Sequence, residues 1–403
     1  MARKLLGIVP LSIALTLFAS SAALAHERTS PLPGGKYVGE TALGKRVVAK
    51  VRPDAPAGTY KGVLRLGCAD VVGRLNVSGD GHFTAQKKGA GGEVIFNATG
   101  KFTRLTYAEG TIDTLAGASG NCAPATFRAD IVDPPVQAQT ATYGPFEVPA
   151  DSMQTFTRFN LAKPCTGCYI VGVEPDLVYN DGTRATHDTG AHLHHVVFFN
   201  NSRTDATCAG WPERLFASGD ERTPFAFPKG YGFPVNSGDD WWLLTDLMNM
   251  RTDAAQELNI QIRVYSLPAP AAVEAVRPFW LDIDNCNDSE YTIPAGFSDT
   301  HRDFTVPAAL AGDVVVMGGH LHNDGVRILT TNETAGGTLC TSTASYGSHG
   351  GELNLDGMST CAGDPLTHIS AGDVLRLHSE YDSPTVQTDV MGIMLGAVVP
   401  DAP

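Results

Sequence analysis

Residues 190–200 read GAHLHHVVFFN. Three histidines fall within four positions, at His192, His194 and His195, and the apolar run Val196-Val197-Phe198-Phe199 follows at once. That run predicts a β-strand entering a core. Imidazoles are poor core material unless something satisfies their nitrogens, so this one stretch bears on both fold and chemistry. Side chains on a strand take alternate faces, which puts His192 and His194 on one side and His195 on the other. A strand end or a β-bulge would re-aim one of the adjacent pair and let both serve one metal ion.

Working outward, strand-like runs recur in both directions. CYIVGVEPDLVY (168–179), DDWWLLTDLMNM (239–250) and ELNIQIRVYSL (257–267) surround the histidine stretch. GVLRLGC (62–68) and ATFRADIV (125–132) lie before it; DVVVMGG (313–319), GDVLRLHSEY (372–381) and DVMGIMLGAVV (389–399) lie after it. No segment carries a sustained 3.6-residue apolar period with caps, and 43 glycines and 25 prolines supply turns throughout. The predicted class is all-β. Composition shifts divide the chain into an N-terminal β domain, a small sandwich or barrel, over 26–135 and two β-sandwiches over 143–270 and 278–400. DPPVQAQTATYGP (133–145) reads as a linker, and SLPAPAAVEAVRP (266–278) as a second join.

The first 25 residues have a short basic start, an apolar stretch and small residues ending Ala23-Leu24-Ala25, the layout of a secretory signal peptide. No later segment is apolar for the length a membrane helix needs, so export as a secreted protein is expected. In an oxidising compartment eight cysteines most simply make four disulfides. Proximity favours Cys68 with Cys122 and Cys340 with Cys361, leaving Cys165, Cys168, Cys208 and Cys286 to sort among themselves. The CxxC at Cys165 and Cys168 has no second CxxC and no helix start after it, so structural bridging is favoured over redox chemistry. A net charge of −14 without Lys/Arg-rich stretches speaks against nucleic acid or anionic membrane partners.

A second cluster, MGGHLHNDGVRI (317–328), is a His-x-His pair that puts His320 and His322 on one face of a strand. Five of the 12 histidines lie in these two clusters, which chance explains poorly. A methionine in a β core is normally packing, but imidazole pairs joined by Met391 or Met394 would make a set suited to redox copper over zinc. His301 and His378 read first as hydrogen-bonded structural histidines, and His26 as a weak chelator if cleavage makes it the first residue. A Ser/His/Asp site fails for want of GxSxG in a strand–turn–helix context, and LDIDNCND (281–288) lacks EF-hand spacing for calcium.

The order of HLHHVVFFN, a later His-x-His and a late Met resembles the copper type II, ascorbate-dependent monooxygenases, over roughly 143–400. The closer resemblance is to the stress up-regulated Nod family. It is carried by YGPFEVPADSM, KPCTGCYIVGVEPDLVY, GAHLHHVVFFN, ERTPFAFPKGYGF, DIDNCNDSEYTIPAGFSDTH, GGHLHNDGVRI and DVMGIML. The resemblance implies a jelly-roll-like pair of sandwiches. It implies an electron-transfer copper at His194 and His195, and an O₂-activating copper at His320, His322 and Met391, these last three being the catalytic set. It implies hydroxylation of an sp³ C–H bond with electrons from an external reductant, on a small-molecule or peptide substrate. The chain departs from the monooxygenase pattern where a third histidine of the first site belongs: Arg263 or Val264 stands there. His192 or His187 would complete that site from the other side, or the site is weakened or absent, so one or two copper ions are expected. His301 is a further possible ligand. A non-catalytic copper-binding or stress protein and a structural extracellular β module are the alternatives.

Overall fold

Among the described residues no α-helix forms, and period-two alternation builds strands from end to end. The computed structural model describes residues 30–402 apart from 68–70, 117–123, 287–288 and 350. The expected leader, His26 and the Cys68–Cys122 pairing lie outside the described residues.

The N-terminal domain is a barrel. Its strands are β1 (Lys36–Thr41), β2 (Arg46–Val51), β3 (Tyr60–Leu66), β4 (Val71–Val77), β5 (His82–Lys88), β6 (Val94–Arg104), β7 (Tyr107–Leu115) and β8 (Ala125–Asp133). They pair in sequence order, and β8 closes back on β1. Closure removes exposed strand edges. In β3, Tyr60, Leu64 and Leu66 point into the barrel while Lys61 and Arg65 face water.

The first sandwich begins where a linker was expected. β9 (Gln137–Val148) pairs with β17 (Gln256–Pro268) from Ser266↔Gln137 to Gln256↔Val148. Its Pro-Pro start and polar residues suggested a linker, but β9 is the edge strand of its sheet and leaves many side chains exposed. The sandwich also contains β10 (Ser152–Arg158), β11 (Cys168–Tyr179), β12 (Ala191–Thr204), β13 (Pro212–Ser218) and β14 (Phe225–Ala226). β15 (Tyr231–Val235), β16 (Trp241–Asn249) and β18 (Glu274–Ala275) complete it. One sheet runs β10-β16-β12-β13; the other runs β18-β15-β11-β17-β9, with β14 on β11.

The second sandwich has one sheet of β19 (Arg277–Asp282), β28 (Gln387–Pro400), β22 (Gly312–Leu321) and β26 (Thr360–Ile369), with β20 (Glu290–Ile293) on β28. The other sheet runs β21 (Gly296–Thr305), β27 (Val374–Ser383), β23 (Gly325–Asn332), β24 (Thr338–His349) and β25 (Glu352–Met358). The β12 sheet lies against the β28 sheet, where Met391, Ile393 and Trp280 pack on Val197 and Ala217. β22 is therefore covered on both faces, which is why it reads as the near-continuous apolar run VVVM.

Three disulfides are present among the described residues: Cys165–Cys168, Cys208–Cys286 and Cys340–Cys361. The last is the pair that proximity favoured. Cys208–Cys286 ties the β12–β13 loop to the segment after β19, and so links the two sandwiches.

Candidate metal centre

The histidines of the opening stretch are aimed by a fault in strand register. On β12, Leu193 pairs with Leu247 and His195 with Asp246, so His194 is the extra residue of a β-bulge. Leu193, Val196 and Phe198 fill the first core. The bulge turns both His194 and His195 away from that core, and His195 ends up buried beside residues of β22 and β28. The sequence allows a bulge as one way of bringing the adjacent histidines together; only the strand register fixes its position.

His320 lies on β22 and His322 one residue beyond its end. The two histidine pairs, which the resemblance assigns to separate coppers, gather into one group across the interface of the sandwiches. His195 Nε2 lies 3.0 Å from His322 Nε2, and the two rings stack with centroids 5.2 Å apart. His194 Nδ1 lies 3.0 Å from His195 Nδ1, and the His194 and His322 ring centroids are 5.1 Å apart. One ring nitrogen from each of His194, His195 and His322 lies within 4.8 Å of the others. His320 stands beside them, its ring centroid 5.5 Å from those of both His195 and His322.

Carboxylates hold these rings. Glu221 Oε1 lies 3.1 Å from His320 Nδ1 and accepts from the Gly219 N–H at 3.0 Å. That places the hydrogen of His320 on Nδ1 and leaves its buried Nε2 with no hydrogen-bond partner. Asp246 Oδ2 lies 3.3 Å from His195 Nδ1. Carboxylate–imidazole pairs of this kind fix the tautomer and ring direction of metal-ligating histidines. Gly219 admits the arrangement: a Cβ there would stand 2.8 Å from His320 Cε1 and 3.0 Å from the His194 carbonyl oxygen. Tyr381 adds a backbone clamp, since its hydroxyl accepts from the His322 N–H at 2.8 Å and donates to the Met391 carbonyl at 2.5 Å.

Burial keeps His194, His195 and His322 neutral. It pushes His322 down to about 2, His195 well below the ordinary histidine value, and His194 down as well. Neutral imidazole is the form that binds a metal ion. Glu221 is held below the ordinary carboxylate range: its interactions with the His320 ring and the Gly219 N–H together outweigh the opposing effect of burial.

Two cavities open on the group. One of about 350 Å³ is walled by His195, His320, Met391, Asp246, Phe199 and Trp280. The other, of about 200 Å³, is walled by His192, His194, Asp220, Glu221, His320 and His322. Met391 is buried on β28 against Trp280 and Ile393 and borders the larger cavity together with two of the histidines. Met394 is buried in the second core, away from the group.

The remaining sequence candidates divide clearly. His187 and His192 come together with Asp220 as a neighbouring group. His301 and His378 face each other across β21 and β27, in the sheet that does not carry His320, and His378 pairs with Asp299 at 3.0 Å. Arg263 and Val264 lie on β17, in the sheet that does not carry β12, and Val264 is in the core. A histidine in the core at Val264 would be separated from His194 and His195 by the sandwich; His322 stands beside them instead. Sequence reading missed Asp220, Glu221 and Asp246. The available signals were an aspartate inside the apolar strand WWLLTDLM and an acidic pair just after β13.

Comparison with known proteins accords with this picture. Residues 279–399, the second sandwich, match the family model described as Stress up-regulated Nod 19. A protein of Phoma sp. named "Probable copper-dependent oxygenase M1" is 26% identical over 281 residues, 64% of this chain and 71% of that protein. One from Cochliobolus lunatus, "Probable copper-dependent oxygenase clz3", is 26% identical over 245 residues, 56% of this chain and 77% of that protein. Among solved structures, the STIV MCP is matched at 8% identity and a TM-score of 0.29, over 66% of this chain and 97% of that one, a likeness too slight to bear on function. The second sandwich is thus similar to the stress up-regulated Nod family, and the chain has a copper-oxygenase-like relation to the two fungal proteins.

Proposed function

We propose that the chain is an exported copper-dependent oxygenase whose single copper is held at the junction of the two sandwiches by His194, His195 and His322, with His320 and Met391 beside it. The observation that carries this reading is the convergence of imidazole nitrogens from both sandwiches, next to a buried His320 Nε2 that no protein group satisfies. The donor set fits a first-row ion. Imidazole nitrogens bind such ions at about 2.0–2.1 Å, so two of them in a tetrahedral site stand roughly 3.3 Å apart, close to the observed 3.0 Å between His195 and His322. Imidazoles with a thioether lining the same cavity favour copper, which cycles between two oxidation states with imidazole ligands. The relatives' names point the same way. The leader-like first residues and the disulfides support export.

Copper in this site would supply O₂ binding and one-electron redox chemistry. The protein's residues do the rest. Glu221 and Asp246 hold hydrogens on the Nδ1 atoms of His320 and His195, so that their Nε2 lone pairs face the centre. Phe199, Trp280, Ile393 and Leu395 give the 350 Å³ cavity an apolar wall that suits a hydrocarbon portion of a small substrate and excludes water. The balanced reaction is R–H + O₂ + two electrons + two protons giving R–OH and water, with the electrons from an external reductant such as ascorbate.

The test is oxygen uptake by copper-loaded protein under reductant, with wild type and His322→Ala side by side. Uptake in the wild type that is lost in the variant is the expected result. Copper bound without any reductant-dependent uptake would make the protein a copper binder, and no copper bound at all would leave the histidines structural.

A further inference from the structure

We propose that His187, His192 and Asp220 form a second metal site, which takes a divalent first-row cation such as Zn²⁺ through two imidazole nitrogens and one carboxylate oxygen. The site does not rest on the copper reading, because all three residues belong to the first sandwich.

The local fold builds the site. A short 3-10 turn, His187–Thr189, is held by a reciprocal capping box between Thr186 and Thr189. Gly190, at φ +80°, then reverses the chain into β12. A side chain is excluded there, since a Cβ would lie 2.7 Å from Arg251 Cγ. The reversal lays His187 over His192, with ring centroids 4.4 Å apart. Asp220 arrives from the loop after β13. Its Oδ2 lies 2.9 Å from His187 Nε2 and 3.8 Å from His192 Nδ1. Its other oxygen, Oδ1, faces Arg222, whose guanidinium is anchored by Asp176 at 2.6 Å and the Ala185 carbonyl at 2.7 Å. Arg222 thus sets the direction of the carboxylate and leaves Oδ2 to the histidines.

His187 Nε2 contacts both Asp220 Oδ2 and His192 Nδ1. A ring nitrogen carries at most one hydrogen. If His187 Nε2 donates to Asp220, that one hydrogen must also serve the contact with His192. If His192 donates to His187, the contact with Asp220 sets lone pair against lone pair. The three side chains are only 10–18% exposed, so water does not readily relieve the conflict. A cation satisfies all three atoms at once, and all three lie within 4.8 Å of one another.

Two imidazoles with one carboxylate and no sulfur form a donor set for Zn²⁺ or Fe²⁺, in contrast to the carboxylate-free imidazole set proposed for copper. His192 and Asp220 also line the 200 Å³ cavity shared with His194 and His322. With the His192 and His194 ring centroids 5.7 Å apart, an ion here would lie next to the copper centre.

The experiment titrates Zn²⁺ into anaerobic protein already loaded with Cu(I), which disfavours carboxylate ligands, and reads both metals by elemental analysis and calorimetry. One Zn²⁺ per chain is expected. Asp220→Asn and His187→Gln should each weaken it at least tenfold with copper retained, whereas His322→Ala should lose copper and keep zinc. Near-UV circular dichroism reports folding, and His187→Gln leaves the Asp220–Arg222 contact intact should Asp220→Asn fail to fold. If no copper binds, the same titration on metal-free protein decides the matter, with one zinc lost in both variants. Absence of zinc uptake, or uptake indifferent to both substitutions, overturns the proposal.

Discussion

Replacing Glu221 with Gln tests the proposed copper centre through the carboxylate that orients His320. Both hydrogen bonds of this buried carboxylate fall on one atom: Oε1 accepts from the Gly219 N–H at 3.0 Å and from His320 Nδ1 at 3.1 Å. A glutamine whose amide oxygen takes that position keeps both bonds and loses only the charge. Hydrogen bonds to charged groups contribute about 1.5–3 kcal/mol and neutral ones about 0.5–1.5 kcal/mol, so the change at His320 amounts to about 1–1.5 kcal/mol. At about 1.4 kcal/mol per tenfold, copper binding should weaken roughly tenfold, at the lower end of the 10–100-fold range typical of residues that orient metal ligands. The amide nitrogen would replace Oε2, a buried atom with no partner, so some loss of folding stability is expected as well. Competition against a chromophoric Cu(I) chelator reads the affinity, and urea unfolding of the metal-free protein reads the stability separately. A copper affinity within twofold of wild type would refute the reasoning, because it would mean that the His320 Nδ1–H has no bearing on the centre.

Three further outcomes follow from the same geometry. Tyr381→Phe leaves the His322 N–H and the Met391 carbonyl without their shared partner; about 1–3 kcal/mol of stability should go per stranded group, with weaker copper binding, and an unchanged urea midpoint would contradict the clamp. Cys208→Ser with Cys286→Ser removes the covalent tie between the sandwiches, which closes a 78-residue separation; chain entropy puts the loss at about 4–5 kcal/mol, and calorimetry showing less than about 1 kcal/mol would mean that the interface holds without it. Acid should destabilise the metal-free protein before its carboxylates titrate. Burial lowers His192 from 6.5 to about 4, so the unfolded chain takes up a proton that the folded protein refuses. The stability contribution is complete well above pH 6.5 and is lost as pH falls through 6.5 toward 4, with about 2 kcal/mol of it gone by pH 5. Urea midpoints should fall over that window and fall less in His192→Asn; a flat profile would contradict the assignment.

How much of this was legible in the sequence depends on the distance over which each feature is determined. Strand alternation is local, so the all-β class could be read directly, as in YKGVLRL of β3. The Cys340–Cys361 bridge was likewise legible from proximity. β9 was not, because an edge strand with one open face carries little hydrophobic signal and its Pro-Pro entry resembles a linker. Histidine spacing points to a candidate metal site and allows a bulge at the adjacent pair, but only the pairing of Leu193 with Leu247 and His195 with Asp246 shows that His194 is the inserted residue. The union of His195 with His322 was hidden for a deeper reason: it depends on how two sandwiches dock, across 127 positions of chain. The partners Asp220, Glu221 and Asp246 are ordinary acidic residues until burial and a neighbouring imidazole distinguish them.

The central claim is that both sandwiches bind the same copper ion. Its most direct test is copper stoichiometry, with the site of His187, His192 and Asp220 saturated by zinc, in three proteins: wild type, His194→Ala/His195→Ala and His320→Ala/His322→Ala. One copper per chain in the wild type, lost in both double variants, is the expected result. Two coppers in the wild type and one in each double variant would contradict it, and would return the histidine pairs to separate centres.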